Sequence, residues 1–218
     1  MPQLNLKNNV QEIVVRNILK EDLDDVATLS MKCFGPDMSL KYDHFVSQLE
    51  LFPEGQICLE YNGQIVGTAL SLIVNFEDYG DKHTYYEISD LGFIRNHNPK
   101  GRNLYGIEVG VDEDFRGMQL GRHLYEGRKR ICKEFNLDSI VIGGRMPFFY
   151  KYAEQMSADE YAQEVLQGKI YDPVLTFQMK NGFELNKVIA NYLPGDVESL
   201  EYAALMEWKN IDYKPTLV

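Results

Sequence analysis

The sequence predicts an α/β (α+β) fold, a mixed central sheet with helices packed against it. Three observations carry that prediction. Residues 105–111 alternate Ile107, Val109 and Val111 onto one strand face, and a glycine-bearing turn follows. The turn leads into a helix in which Leu120, Leu124, Gly127, Ile131 and Phe135 recur at spacings of three and four. Residues 139–143 then read as a short buried strand, so strand–helix–strand implies two parallel neighbours joined by a right-handed crossover. Earlier in the chain, strands over 57–61 and 64–74 flank Asn62-Gly63, a strong hairpin signal.

Taken in order, residues 1–11 read as a loose lead-in and 12–18 as a first strand. Lys20-Glu21-Asp22 opens a helix with Leu23, Val26, Ala27, Ser30 and Phe34 inward, and Gly35-Pro36 ends it. Ser39 is placed to cap a second helix that runs through Phe52 and stops at Pro53. After the hairpin, 75–103 reads as a long polar and aromatic connection. Beyond the strand at 139–143 lies an insertion, 147–171. Within it Ser157-Ala158-Asp159-Glu160 forms a capping box that opens a helix to about Gln167. Asp172-Pro173 caps a helix over 174–181, stopped by Gly182. Segments 183–191 and 202–209 read as the closing strands, and the tail after Asn210 as unstructured.

Composition narrows the function classes. At 218 residues and 25.2 kDa, one domain over 1–218 is the expectation. A net charge of −11 makes nucleic acid an unfavourable partner. The apolar run within 65–74 is too short to span a bilayer, and the first residues lack a signal peptide's pattern, so no membrane role is expected. Cys33, Cys58 and Cys132 are isolated in apolar surroundings, which predicts reduced thiols in a cytoplasmic protein. The four histidines are scattered and no metal is expected.

The chemistry concentrates at Arg116-Gly117-Met118-Gln119-Leu120-Gly121-Arg122. A strand running into a glycine-bearing turn at a helix start aims several free backbone N–H groups and the positive helix end at one spot. The two glycines clear the approach and the two arginines add charge. The competing reading is an ordinary strand–turn–helix whose glycines only shape the bend. No G-x-x-x-x-G-K-[ST] and no G-x-G-x-x-G occurs.

Residues 111–124 resemble motif A of the GNAT N-acetyltransferases, Q/R-x-x-G-x-G/A. Arg116 and Gly121 stand at its first and last positions, and Gln119 stands where glycine is usual. Residues 176–183 resemble the family's late F-Y-x-x-x-G-F helix, with Gln178 at the tyrosine position. The resemblance implies a mixed, mostly antiparallel sheet flanked by helices, and acetyl transfer from acetyl-CoA to a small-molecule or peptide amine. It implies cofactor contacts from Val109, Gly110, Val111, Arg116, Gly117, Met118, Gln119, Leu120, Gly121 and Arg122. Arg145, after Gly143-Gly144 at a strand end, joins that set as a ligand contact or, in the plainer reading, as the partner of an acidic neighbour.

The base carboxylate usual in the family would fall near 103–105, where there is none. Glu108 is the nearest carboxylate, a catalytic candidate or else a solvated or ion-paired side chain. His97 is a second candidate by its ordinary titration range. Without a late-helix tyrosine, Tyr150, Tyr152 and Tyr171 are the alternatives for the acid. The same gap keeps open a non-catalytic module that binds acyl-CoA. Leu104-Tyr105-Gly106, residues 143–147, residues 171–178 and Tyr192-Leu193-Pro194 resemble the subgroup that precedes a carbon–nitrogen hydrolase (nitrilase-like) domain. No such domain follows here, so hydrolase chemistry is not expected. A homodimer and a separate nitrilase-like partner are the assemblies left open.

Overall fold

A computed structural model describes residues 12–215; the lead-in at 1–11 lies outside the described residues. Among the described residues, seven strands form one sheet in the order β1-β2-β3-β4-β5-β7-β6. They are β1 (Ile13–Asn17), β2 (Gln56–Tyr61), β3 (Gln64–Val74), β4 (Asn103–Val111), β5 (Ser139–Arg145), β6 (Glu184–Ile189) and β7 (Ala203–Lys209). Only β4 and β5 pair in parallel; every other neighbour is antiparallel. The Asn62-Gly63 hairpin forms as its sequence requires, with both residues at positive φ.

Helices cover both faces. α1 (Leu23–Met38) and α2 (Tyr42–Leu51) pack on one, burying Leu23, Val26, Leu40 and Phe45 against Cys58 and Leu70. α4 (Leu120–Glu134) packs on the other, close enough that a Cβ at Gly127 would meet Ile57 Cδ1 at 2.6 Å. The apolar spacing that predicted α4 is its buried side, with Leu120, Leu124 and Ile131 almost wholly excluded from water. Each such side chain contributes roughly 1.5–3 kcal/mol on burial. α5 (Ala158–Leu166) starts at the Ser157–Glu160 capping box, and α6 (Pro173–Lys180) at Asp172.

Gly35 ends the first helical run as expected, with non-helical backbone at φ 76° and ψ 178°, and Pro36 fits the first turn of the short run that follows to Met38. Two local expectations are corrected. Lys41, not Ser39, precedes α2, and His44 Nδ1 accepts the Lys41 N–H at 2.8 Å in place of a hydroxyl cap. The 75–103 connection holds 3₁₀ turns over Phe76–Lys82 and a short α3 (Tyr85–Ser89), started by reciprocal bonds between Thr84 and Glu87. The described part of the tail carries no regular element, yet Lys133–Asp212 (2.8 Å) and Asn136 Nδ2–Lys214 O (2.8 Å) hold it to the end of α4.

The feature that makes a site is in β4. Leu70 pairs with Glu108 and Ser71 with Gly106, so Ile107 is an extra residue, a β-bulge. Pairing of β4 with β5 stops at Gly106–Ile142, while β5 continues along β7 as far as Arg145–Ala203. The two parallel strands therefore diverge, and a gap opens through the sheet between residues 107–111 and 143–145.

Candidate active site

A cleft of about 1120 Å³ runs through this gap. One end is lined by the start of α4 and by α6; the other by the α1–α2 bend, α3 and the 192–193 segment. The two ends lie on opposite faces of the sheet. A Cβ at Gly110 would meet Cys33 of α1, whereas one at Gly106 would meet Arg128 of α4.

At the α4 end the chain makes a left-handed turn, with Gly117 at φ 83° and Gln119 at φ 59°. Gln119 is exposed and takes up the left-handed backbone conformation that the family's usual glycine adopts without cost. The N–H groups of Gly117, Met118, Gln119, Leu120 and Gly121 have no acceptor among the described residues. Arg116 and Arg122 are exposed beside them. This is a main-chain anion site at the positive end of a helix.

The floor is a buried polar cluster centred on Glu108, which is 9% exposed. Its Oε2 accepts from Ser30 Oγ at 3.2 Å, and its Oε1 has no partner among the described residues. Burial pushes the carboxyl up to about 8, against the opposing effects of the Ser30 hydrogen bond and the Arg128 charge. Arg128 crosses the sheet beneath it. Its Nε donates to Ser71 Oγ (3.1 Å), and its Nη2 to the main-chain oxygens of Leu70 (2.7 Å) and Glu108 (2.5 Å). Burial lowers this guanidinium to about 10, so it keeps its charge at neutral pH.

Two adjacent glycines of β5 admit the remaining polar groups. Tyr192 lies over Gly143 and Gln178 over Gly144, each where a Cβ would clash below 2.5 Å. Tyr192 Oη is 2.7 Å from Tyr105 Oη, which faces His83 Nε2 at 3.4 Å. Burial raises Tyr192 and lowers His83, so both are neutral near pH 7.

The acetyltransferase (GNAT) family model matches residues 23–149, which span the bulged strand, the anion turn and α4. The chain belongs to the GNAT family. It is 36% identical over 208 residues to the uncharacterized N-acetyltransferase YkwB of Bacillus subtilis, covering 94% of this chain and 92% of that one. It is 49% identical over 213 residues to the probable hydrolase YhcX of Bacillus subtilis. That match covers 98% of this chain, but the chain spans only 42% of that relative's length. The fold is also that of the loading GNATL domain of CurA from Lyngbya majuscula, with a TM-score of 0.80 at 22% identity over 91% of this chain and 98% of that one.

As in a GNAT-family cofactor cleft, the fold brings most of the sequence-predicted site residues together. Glu108, Val109, Val111, Arg116, Gly117, Gln119, Leu120, Gly121, Arg122 and Arg145 all line the cleft. Met118 points away with 39% of its surface exposed, leaving only its main chain at the turn, and Gly110 faces Cys33 and Phe34. One expectation needs correction, that for Glu108, while for Arg145 the acidic-neighbour reading is the one met. Glu108 is neither solvated nor ion-paired through its carboxyl, because the bulge turns it into the interior. Arg145 lines the cleft, but Asp196 holds its Nε at 2.7 Å and its Nη2 at 2.5 Å, and Glu198 adds a bond of 2.9 Å.

His97 is absent from the cleft lining. Its Nδ1 accepts from Ile73 N–H at 3.1 Å and its ring stacks on Phe52. Tyr150 and Tyr152 are also outside the cleft, whereas Tyr171 stands at its lip, 63% exposed. Sequence reasoning missed Ser30, Arg128 and Tyr192. The Gly106 and Gly143-Gly144 positions were the available signal for the last two, since each glycine gives up its side-chain space to one of them or to Gln178.

Proposed function

We propose that this GNAT domain, over residues 1–218, is an N-acetyltransferase that moves an acetyl group from acetyl-CoA directly onto a small-molecule or peptide amine. The observation that carries the reading is the unbonded run of N–H groups from Gly117 to Gly121, facing the gap between β4 and β5. With Arg116 and Arg122, these groups would hold the diphosphate of the coenzyme, and Val109, Gly110 and Val111 would run beside its pantetheine arm. Acetyl-CoA supplies the activated carbonyl when bound.

Glu108 does the proton work in this account. Its unpaired Oε1 takes a proton from the amine, and a carboxyl that titrates at about 8 is suited to that task near neutral pH. Arg128 anchors the bulge that aims it. His97 and Arg145 have no part in the mechanism, because both are engaged elsewhere.

The test is calorimetry with CoA and acetyl-CoA on the wild type and Gly121→Glu, followed by thiol release across an amine library. Micromolar binding by the wild type, lost in the variant, is expected together with thiol release. Failure of the wild type to bind rejects the reading.

A second reading is a module that holds acyl-CoA without turnover, favoured by Gln178 where the late-helix tyrosine would stand. It predicts coenzyme binding with no thiol release from any amine. The reading places the protein in the cytoplasm, supported by three free thiols. A separate nitrilase-like partner or a homodimer rests on the subgroup resemblance of residues 143–147 and 171–178, and association of this chain with itself or with such a protein is testable by light scattering.

A further inference from the structure

We infer that the acceptor is a single primary amine carried on an apolar, preferably aromatic, body. This rests on the acetyl-transfer reading and concerns the cleft end opposite the anion turn. Phe34, Met38, Leu40, Tyr85, Tyr86 and Leu91 wall that end. Leu91 and Tyr86 are 56% and 36% exposed at its lip, so an apolar ligand would cover surface now in contact with water.

The polar groups there define how much charge the ligand carries. Among the described residues Glu108 is the only carboxyl at the floor, and its unpaired, buried Oε1 calls for one N–H donor. Asp37 is exposed at the rim, beside Lys41, whose Nζ is bound to Pro36 O (2.8 Å) and Ser39 Oγ (2.7 Å). His44 Nδ1 is taken by Lys41 N–H. Asp196 and Glu198 face Arg145, and Glu87 caps α3 through Thr84. Among the described residues, a second ammonium carried into this end would find a free carboxylate only at Asp37, on the water-exposed rim where the attraction is screened, so carrying a second charge past the rim into the apolar part of the cleft is opposed, as polyamines and aminoglycosides would require.

The experiment uses the full chain with CoA present, reading heat of binding and thiol release for 2-phenylethylamine, hexylamine, ethanolamine and spermidine. The two apolar amines are expected to bind without turnover to the CoA complex, and to give kcat/KM with acetyl-CoA about tenfold or more above ethanolamine and spermidine. Leu91→Asp adds a carboxylate at the lip and is expected to raise the spermidine value while lowering that of 2-phenylethylamine. If CoA binds and spermidine or ethanolamine equals or exceeds the apolar amines in both readouts, the inference is overturned and the transferase reading stands. Coenzyme binding with no binding of either apolar amine also overturns it. Absence of coenzyme binding removes the transferase reading itself, and this inference with it.

Discussion

The guanidinium of Arg128 fills the space that a side chain at Gly106 would need: a Cβ there would stand 2.7 Å from Arg128 Cζ. The glycine sits at the last paired position between β4 and β5, where the parallel strands separate. Arg128 thus braces the point of divergence. It bonds the oxygen of Leu70 on β3 and that of Glu108 on β4, on either side of the bulge.

Gly106→Ala should push Arg128 out of place and destabilise the fold by about 1–3 kcal/mol, through overpacking. Arg128→Met leaves the Leu70 and Glu108 oxygens without that donor and should cost about as much or more. Urea denaturation of both variants checks this, and an unchanged midpoint for Gly106→Ala contradicts the bracing role.

Glu108→Gln should lower kcat by about 10²–10⁴-fold with little change in coenzyme affinity, and remove the limb of the pH–rate profile near 8. Stability gives an independent sign. The folded carboxyl titrates at about 8 against an ordinary 4.5 for glutamate, so the folded state binds the extra proton between them. The contribution of Glu108 is complete below about 4.5 and lost as pH rises through about 8. Thermal denaturation should find Glu108→Gln equal to wild type at low pH and more stable above pH 8.

Arg145→Ala should leave coenzyme affinity within about twofold, because Asp196 and Glu198 already occupy the guanidinium. Burial acts to raise Asp196, but Arg145 and Ser199 bond its carboxylate and hold it below its ordinary range. Its stabilisation is therefore present at neutral pH and lost as pH falls through that depressed value. The variant should melt lower at pH 7, by about 1–3 kcal/mol, with the gap closing in acid. A large loss of CoA binding would restore Arg145 to the cofactor site.

Asp172 is wholly buried and joins α5 to α6: Oδ1 accepts from Val174 N and Leu175 N at 2.9 Å each, and Oδ2 from Tyr161 Oη at 2.8 Å. Asp172→Ala should cost about 2–4 kcal/mol, more than an exposed helix cap, because Tyr161 also loses its acceptor. Tyr161→Phe should recover part of the difference in a double-mutant cycle.

What the sequence displayed was local. Asn62-Gly63, the Ser157–Glu160 box and the stripe of α4 each specify structure within a few residues, and each formed. The anion turn was legible for the same reason, since five consecutive residues build it. The bulge was not, because Ile107 continues an alternating pattern and only its pairing with Ser71 and Leu70 reveals the extra residue. Glu108 consequently looked like a surface group. Arg128 sat among the basic residues of an amphipathic helix and resembled them, yet it is 1% exposed. The Thr84–Glu87 box within 75–103 was present in the sequence, but a helix of five residues carries no periodicity to accompany it.

The account turns on main-chain recognition of a diphosphate, and the most direct measurement compares CoA with pantetheine by calorimetry on the wild-type chain. The turn at Gly117–Gly121 predicts micromolar binding of CoA and about 100-fold weaker binding of pantetheine, which lacks the diphosphate. Equal affinity for the two, or none for CoA, would contradict it.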